Sequence, residues 1–398
     1  WPLIRNQENK LMKNKIYFDY ASTTPIAKEV KQDMGAALED DFLGNASSLD
    51  HEFGVDASQA IELARGDIAE LINAETGEII WTSGATESNN LALYGVCNFK
   101  PQDQLLSIAS SYIEHKSVIE PLMQLKRKGH RVEFIQPNKH GYLEPASIAK
   151  MLDSGCDLFS CMHVNNEIGS VNDIALIGSM CRERNIIFHV DAAQSIGKLP
   201  LDVKQNNIDL MSLSAHKIYG PKGIGALFIN QKTVGRLQPL MSGGGQERAI
   251  RPGTLATHQI IGMAAAYRLA KNSMENNLIH LIECRDLFLR LTSDIEGLMI
   301  NGDKNNTFPG IISISLPDLH AESLLFAMDK VAISKGSACS SENDEPSHVL
   351  KSMGLSREEI EGTVRVSFGR NTRFKEIEVL TQSLKEAVDH LRLLKGGI

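Results

Sequence analysis

No apolar run in this chain reaches the roughly 20 residues that a membrane-spanning helix needs. Cysteine is sparse and scattered: Cys97, Cys156, Cys161, Cys181, Cys284 and Cys339 form no CxxC pair, and no His or Cys cluster completes a zinc site. That pattern speaks against a disulfide framework, fits a reducing cytoplasm and gives no reason to expect a structural metal. Positive charge is not in excess either. The formal net charge is −8, which argues against the basic stripe of an extended nucleic-acid footprint. The opening WPLIRNQENKLMKNK is mixed and polar, without the apolar core of a signal peptide. Residues 1–11, ahead of Met12, read as an extension. Internal repeats and low-complexity stretches are also missing.

What is present is an ordinary globular composition, 42% hydrophobic and 23% charged over 398 residues. That length can bury a large core and should hold about two domains or one large domain with an appendage. Segments 78–83, 104–110, 131–136, 157–164, 185–191, 209–215 and 225–230 are rich in β-branched and apolar residues and read as strands. Between them lie amphipathic stretches such as 56–73, 87–98, 115–128 and 172–184. Strands alternating with helices of this length predict a mainly parallel α/β sheet covered on both faces, with its ligand at the carboxyl ends of the strands. The pattern changes near residue 274. A long helical run, 258–296, leads into short strands at 310–316, 331–334 and 363–368 and a closing helix at 374–395. The expected organisation is an N-terminal arm (1–26), a large domain (27–273) and a smaller α+β domain (274–398).

The residues with chemistry sit at strand ends. DLMSLSAHKIYGPKGIGA (209–226) is a buried strand emptying into a loop that presents Lys217 beside His216 and Ser214. A lysine so placed is a candidate for Schiff-base chemistry, although a lysine ahead of Gly-Pro is commonly a solvated turn residue. SGATESNN, after strand 78–83, is a small-residue turn entering a helix, where Ala85 and Thr86 would hold a phosphate. Small residues before a helix are equally good caps. In HVDAAQSIG, Asp191 at the tip of an apolar strand needs a cationic partner, such as a protonated pyridine nitrogen, or else caps the next helix. Gln194 could donate to a phenolic oxygen of the same ring. GPKGIGA lacks the GxxxxGK[ST] spacing of a nucleotide-binding loop.

Together these pieces resemble the cysteine desulfurases of the NifS/IscS-like group, within the fold-type I pyridoxal-phosphate enzymes of the class V aminotransferase family. The resemblance is carried by YFDYASTTP (17–25), TSGATESNN (82–90), EHKSV (114–118), HVNNEIGS (163–170), HVDAAQSIGK (189–198), SLSAHKIYGPKGIGAL (212–227), GGGQERAIRPGTLATHQIIGM (243–263), GSACSS (336–341), EPSHVLKSMGL (345–355) and VRVSFGRNT (364–372). It spans nearly the whole chain. It implies a seven-stranded, mainly parallel sheet and pyridoxal phosphate held covalently by Lys217, which also shuttles protons. His115 would stack on the ring, Asp191 would pair with its nitrogen and Gln194 with its phenolic oxygen. Ala85, Thr86, Ser214 and His216 would hold the phosphate. Thr254 would reach the phosphate of a neighbouring subunit, implying a homodimer. Asn166 would sit beside cofactor and substrate, and Arg365 would clamp the substrate carboxylate.

The resemblance makes Cys339 the nucleophile that takes sulfur from L-cysteine as a persulfide, releases alanine and passes the sulfur to an acceptor protein. SKGSACSSENDEP is small, polar and glycine-containing and reads as a mobile exposed loop, the setting a reactive thiol needs. The other five cysteines lie in apolar or helical settings and read as small hydrophobes. His163, His189 and His258 read as packing residues. Lys335 stands where relatives commonly carry a small hydroxyl residue. It would favour the Cys339 thiolate or be a solvent-facing loop charge, and the second reading is preferred. The loop after Cys339 has the long IscS-like form. The chain stops at HLRLLKGGI, where longer members continue into a tail associated with scaffold docking, so iron–sulfur assembly, tRNA thiolation and DNA-sulfur systems all remain open destinations. Rival readings are a selenocysteine lyase, an aminotransferase, which has no need of a nucleophilic cysteine, and a non-catalytic pyridoxal-phosphate-binding partner protein.

Overall fold

The computed structural model describes residues 15–39, 44–99, 101, 104–336 and 346–396. In chain order the first elements are β1 (Ile16–Tyr17), α1 (Lys28–Ala36), α2 (Glu52–Ile72), β2 (Ile79–Thr82), α3 (Ala85–Phe99), β3 (Ser107–Ser111), α4 (Lys116–Arg127) and β4 (Arg131–Ile135). Next come α5 (Pro145–Asp153), β5 (Leu158–Met162), α6 (Ile174–Glu183), β6 (Ile187–Asp191), β7 (Leu210–Ser214), β8 (Gly225–Ile229), α7 (Gln231–Val234) and α8 (Thr257–Leu291). The rest are β9 (Met299–Asn301), β10 (Ile311–Ser315), α9 (Ala321–Ala327), β11 (Val331–Ala332), β12 (Ser334–Lys335), α10 (His348–Ser352), α11 (Arg357–Glu361), β13 (Thr363–Ser367) and α12 (Phe374–Gly396).

Seven strands form the main sheet in the order β2-β8-β7-β6-β5-β3-β4. All neighbours pair in parallel except β8, which runs antiparallel to both β2 and β7. The strands β2, β5, β7 and β8 are buried along their whole length, so they are mostly apolar with a few small hydroxyl residues rather than alternating. One face packs Ile61, Ile68, Phe159, Phe188 and Tyr267 into a core with α2 and α8. The other buries Leu91, Val96 and Leu122 from α3 and α4. Every strand expected from the sequence up to residue 230 is present within a few residues of its predicted span.

A four-stranded sheet, β12-β13-β10-β9, is antiparallel throughout and rests on α12 and the end of α8. The short β1 pairs with β11 in parallel, which ties the N-terminal arm to this smaller sheet. The boundary expected at 273/274 falls inside one continuous helix, α8. Its Ile260, Met263 and Tyr267 belong to the main core, whereas Leu281, Cys284 and Phe288 belong to the smaller one. One helix therefore serves both cores, because its apolar residues recur at helical spacing on either side of that boundary.

Candidate active site

The turn after β2 is built for close approach. Gly84 has φ 152°, and a Cβ added to Gly225 of β8 would stand 2.6 Å from its Cα. Ser88 ties the following helix to the sheet, with its Oγ donating to Ala226 O at 3.0 Å. The N–H groups of Ala85 and Thr86 lie in the first turn of α3, where no helix carbonyl can accept them. Together with the helix dipole they make an anion cup. Glu87 steadies the cup from beneath: its carboxylate accepts Ser83 N at 2.6 Å and Arg251 Nε at 2.8 Å. Burial opposes ionisation of Glu87, but those bonds outweigh it and hold the carboxyl below its usual range.

At the tip of β6, Asp191 is almost wholly buried, and no helix follows it. Its Oδ1 accepts Ala193 N at 2.9 Å and its Oδ2 accepts Asn89 Nδ2 at 2.8 Å. The same Asn89 nitrogen reaches Ser117 Oγ at 2.8 Å. His115 is the N-cap of α4, with Nδ1 accepting Ser117 N at 3.1 Å, which leaves the ring proton of the neutral form on Nε2. Burial pushes His115 below its ordinary value despite the attraction of Asp191, and Lys217 and His348 push the same way. The residue before it, Glu114, is completely buried. Burial lifts its carboxyl to about 8 although Ser111 Oγ and Met162 N bind Oε1 at 2.5 and 3.0 Å.

The loop after β7 meets the N-terminal arm. Lys217 Nζ donates to Ala21 O at 2.5 Å and to Ser22 O at 2.8 Å. His216 Nδ1 lies 3.1 Å from Thr23 Oγ1, and burial with the cations Lys217, Lys222 and Lys198 pushes it down to about 4. Gln194 Nε2 donates to Ala21 O at 2.7 Å, and its Oε1 accepts Lys198 Nζ at 3.1 Å. From the smaller sheet, Arg365 on β13 is 1% exposed. Its guanidinium donates to Asn166 O at 2.7 Å, Asp19 Oδ1 at 2.8 Å, Ser22 Oγ at 2.7 Å and Ser334 Oγ at 3.0 Å. Arg365 Nε is buried with no partner among the described residues.

A cavity of about 500 Å³ collects these groups. Ala85, Thr86, His115, Asn166, Asp191, Gln194, Ser214, His216, Lys217 and Arg365 all line it. Thr254 does not; it lies on an exposed loop. Cys339 is outside the described residues. The other five cysteines are buried or half-buried, and burial raises every one of their thiols: Cys97 and Cys284 to about 12, Cys156 to about 11, Cys161 and Cys181 further. None of the five is a ready thiolate. Lys335 pairs with Glu322 on α9, in keeping with a solvent-facing charge. His163 and His189 are buried and neutral, pushed down to about 4 by burial, and His189 bridges Ser160 and Ser212 within the sheet.

Sequence reasoning passed over Asn89, Asp19, Glu87, Arg251 and Glu167. Asn89 stands four residues after Ala85, hence on the same face of α3, and that spacing was the available signal. Asp19 follows an apolar stretch as Asp191 does. The Arg251–Glu87 pair spans 164 positions and left no local trace. Glu167 lines the cavity and accepts Ser347 Oγ at 2.5 Å. The donor set suits a phosphorylated pyridine: an amide cup with neighbouring hydroxyl and imidazole for the phosphate, a buried carboxylate for a cationic ring nitrogen, and a lysine amine lining the same cavity. The open space where a Gly84 Cβ would stand leaves the cup unobstructed.

The chain belongs to the aminotransferase class-V family, whose model matches residues 16–380. Within it, the chain is 46% identical over 384 residues to a cysteine desulfurase IscS of Pseudomonas entomophila, covering 96% of this chain and 95% of that protein. A NifS-like protein of known structure superposes with a TM-score of 0.87 at 29% identity, covering 94% of this chain and all of that one. SspA, solved in complex with cysteine, superposes with a TM-score of 0.78 at 34% identity, covering 90% of this chain and 99% of that one. The fold is that of the fold-type I enzymes, and the cofactor of the family is pyridoxal phosphate.

Proposed function

We propose that this protein is a cysteine desulfurase, converting L-cysteine to L-alanine and a protein-bound persulfide. The observation that carries this is the convergence of Lys217, Asp191, His115 and the Ala85–Thr86 cup on one cavity that Arg365 also lines. Pyridoxal phosphate, when bound, supplies an electron sink for charge developing on the substrate carbons. Ala85, Thr86, Ser214 and His216 hold its phosphate, and Asp191 keeps a proton on its ring nitrogen. Lys217 anchors it and moves protons at Nζ. His115, neutral and proton-bearing at Nε2, would face the ring and serve acid–base steps. Arg365, with Asn166, receives the substrate carboxylate. The Cys339 thiolate attacks the substrate sulfur: an S–S bond forms, the C–S bond breaks with its electron pair going to carbon, and protonation of that carbon gives alanine.

The same reading covers the surroundings. The enzyme works in the cytoplasm as a homodimer in which the partner's exposed Thr254 loop completes the phosphate site. An acceptor protein, for iron–sulfur assembly or thiolation, takes the sulfur. The chain divides functionally into the arm 1–26, a cofactor-binding domain 27–273 and a smaller domain 274–398 that carries Cys339. The test is incubation of the pyridoxal-phosphate-loaded protein with L-cysteine, measuring alanine and the mass of the Cys339 peptide. Alanine with a sulfur added to Cys339 is expected, and Cys339→Ala should keep the cofactor colour while losing persulfide. Full desulfurase activity in Cys339→Ala would remove the assigned nucleophile, and alanine without persulfide would favour a lyase route.

A further inference from the structure

Lys217 lines two cavities. The second, of about 40 Å³, has room for a few waters at most and is shared with Lys198, Tyr20, Ala270 and Phe308. Lys198 follows Gly197, whose φ is 67° and whose Cβ would meet Ala270 Cβ at 2.8 Å. That turn presses against α8 and aims the Lys198 side chain inward. Its ammonium stands 5.5 Å from the centre of the Phe308 ring and donates to Gln194 Oε1 at 3.1 Å. Lys198 keeps partial accessibility beside this cavity, but protein encloses its ammonium, and burial together with Lys217 pushes it down to about 7.

We propose that Lys198 is a positioning residue of the active site, which fixes the direction of the Gln194 amide. While Lys198 is an ammonium, below about pH 7, it can donate but not accept, so the amide turns its oxygen to it. The opposite end then faces Ala21 O, another acceptor, at 2.7 Å. Flipping the amide would set NH₂ against NH₃⁺ and one carbonyl oxygen against another, two conflicts at once. Gln194 is therefore held with its NH₂ toward Ala21 O, which lines the cofactor cavity, and its donation to a phenolic oxygen requires that sense of the amide. Ala21 O also accepts Lys217 Nζ, so one carbonyl ties the orienting chain Lys198–Gln194 to the lysine that anchors the cofactor. This inference rests on the placement of Gln194 in the proposed function.

The experiment is a pH titration of the visible cofactor absorbance in the pyridoxal-phosphate-loaded protein, which needs no turnover. The other titratable groups facing Lys198 are Lys217 and His216, with Tyr20, Tyr219 and Arg370 around the small cavity. Lys198→Met, of similar length and uncharged, should move the titration midpoint upward by about half a pH unit or more. Gln194→Leu should move it comparably, and Lys198→Met should add nothing in the Gln194→Leu background. Lys198→Arg, which retains a cationic donor, should stay near the parent and covers the case in which the methionine variant folds poorly. Additive shifts would mean that Lys198 acts by charge alone and would overturn the proposal. So would an unmoved midpoint in either single variant. A failure to form alanine from cysteine would sink the desulfurase reading while leaving these shifts in place.

Discussion

Glu114→Gln separates a neutral buried carboxyl from a charged one. Glu114 is fully enclosed, its Oε1 accepts Ser111 Oγ and Met162 N, and its Oε2 has no partner among the described residues. Burial is the largest influence on it, followed by bonds that favour the ionised form and the repulsion of Asp191, and the result is a carboxyl at about 8 in place of 4.5. The folded state therefore keeps a proton that the unfolded chain releases throughout this interval. Stability attributable to Glu114 is fully present below about pH 4.5 and is lost as pH rises, until the folded carboxyl also ionises near pH 8. Each pH unit is worth about 1.4 kcal/mol, so the loss reaches roughly 4–5 kcal/mol by pH 8. Glutamine mimics the protonated acid, keeps the Oε1 acceptor and cannot ionise. Urea unfolding of parent and variant, at several pH values from 5 to 9 with cofactor held constant, gives the difference directly. His163, His189 and His216 tilt both curves alike and cancel. The variant should gain on the parent steadily from pH 5 to 8 and then level off. A difference independent of pH, or one favouring the parent at pH 8, would refute the neutral carboxyl.

Three further outcomes are expected. Arg365→Ala should raise KM for L-cysteine about 10-fold or more with a smaller change in kcat, since a charged hydrogen bond of about 1.5–3 kcal/mol is lost; a fall confined to kcat would place the arginine elsewhere in the reaction. Asn89→Ala removes the side-chain donor of Asp191 and should weaken cofactor retention about 10-fold or more, read by equilibrium dialysis of pyridoxal phosphate. Glu247→Ala removes the two-pronged partner that Arg65 binds at 2.8 and 2.9 Å in the interior, leaving it only Ile79 O and the exposed Glu62, and also orphans Trp81 N. It should destabilise the protein by about 3–5 kcal/mol in urea unfolding, and a change below about 1 kcal/mol would mean the pair is not buried in solution.

Much of the main sheet was legible because its strands are buried on both faces and so read as apolar runs between amphipathic helices. The short elements were not. β9, α10 and α11 are held by tertiary packing, and segments of three to five residues carry too little periodicity to be read. At the site, groups on strand ends and helix starts could be named from the sequence, because their chemistry is local: a cup needs small residues and a lysine on a loop stands out. Orientation was invisible. Nothing local in the sequence joins Glu87 to Arg251, and Gln194, read as bonding a phenolic oxygen, gave no sign that Lys198 holds its amide oxygen.

The arm YFDYASTTP shows why a strand-end site still depends on residues far away in the chain. Its carbonyls at Ala21 and Ser22 receive Lys217, its Thr23 meets His216, and its Asp19 and Ser22 receive Arg365. Lys217 lies on the loop that follows β7 of the main sheet and Arg365 on β13 of the smaller one, so the arm bonds to a residue from each side. β1 secures the arm in turn by pairing with β11. In the proposed function the substrate would lie between Lys217 and Arg365, and the arm bonds to both. Loosening Asp19 should accordingly disturb substrate binding through Arg365 before it disturbs the cofactor, because the Asp19 carboxylate bonds to Arg365 and Ser334 of the smaller sheet. Asp19→Ala should raise KM for L-cysteine while the visible cofactor absorbance stays at the parent level; loss of that absorbance in step with KM would show that the arm serves the cofactor first.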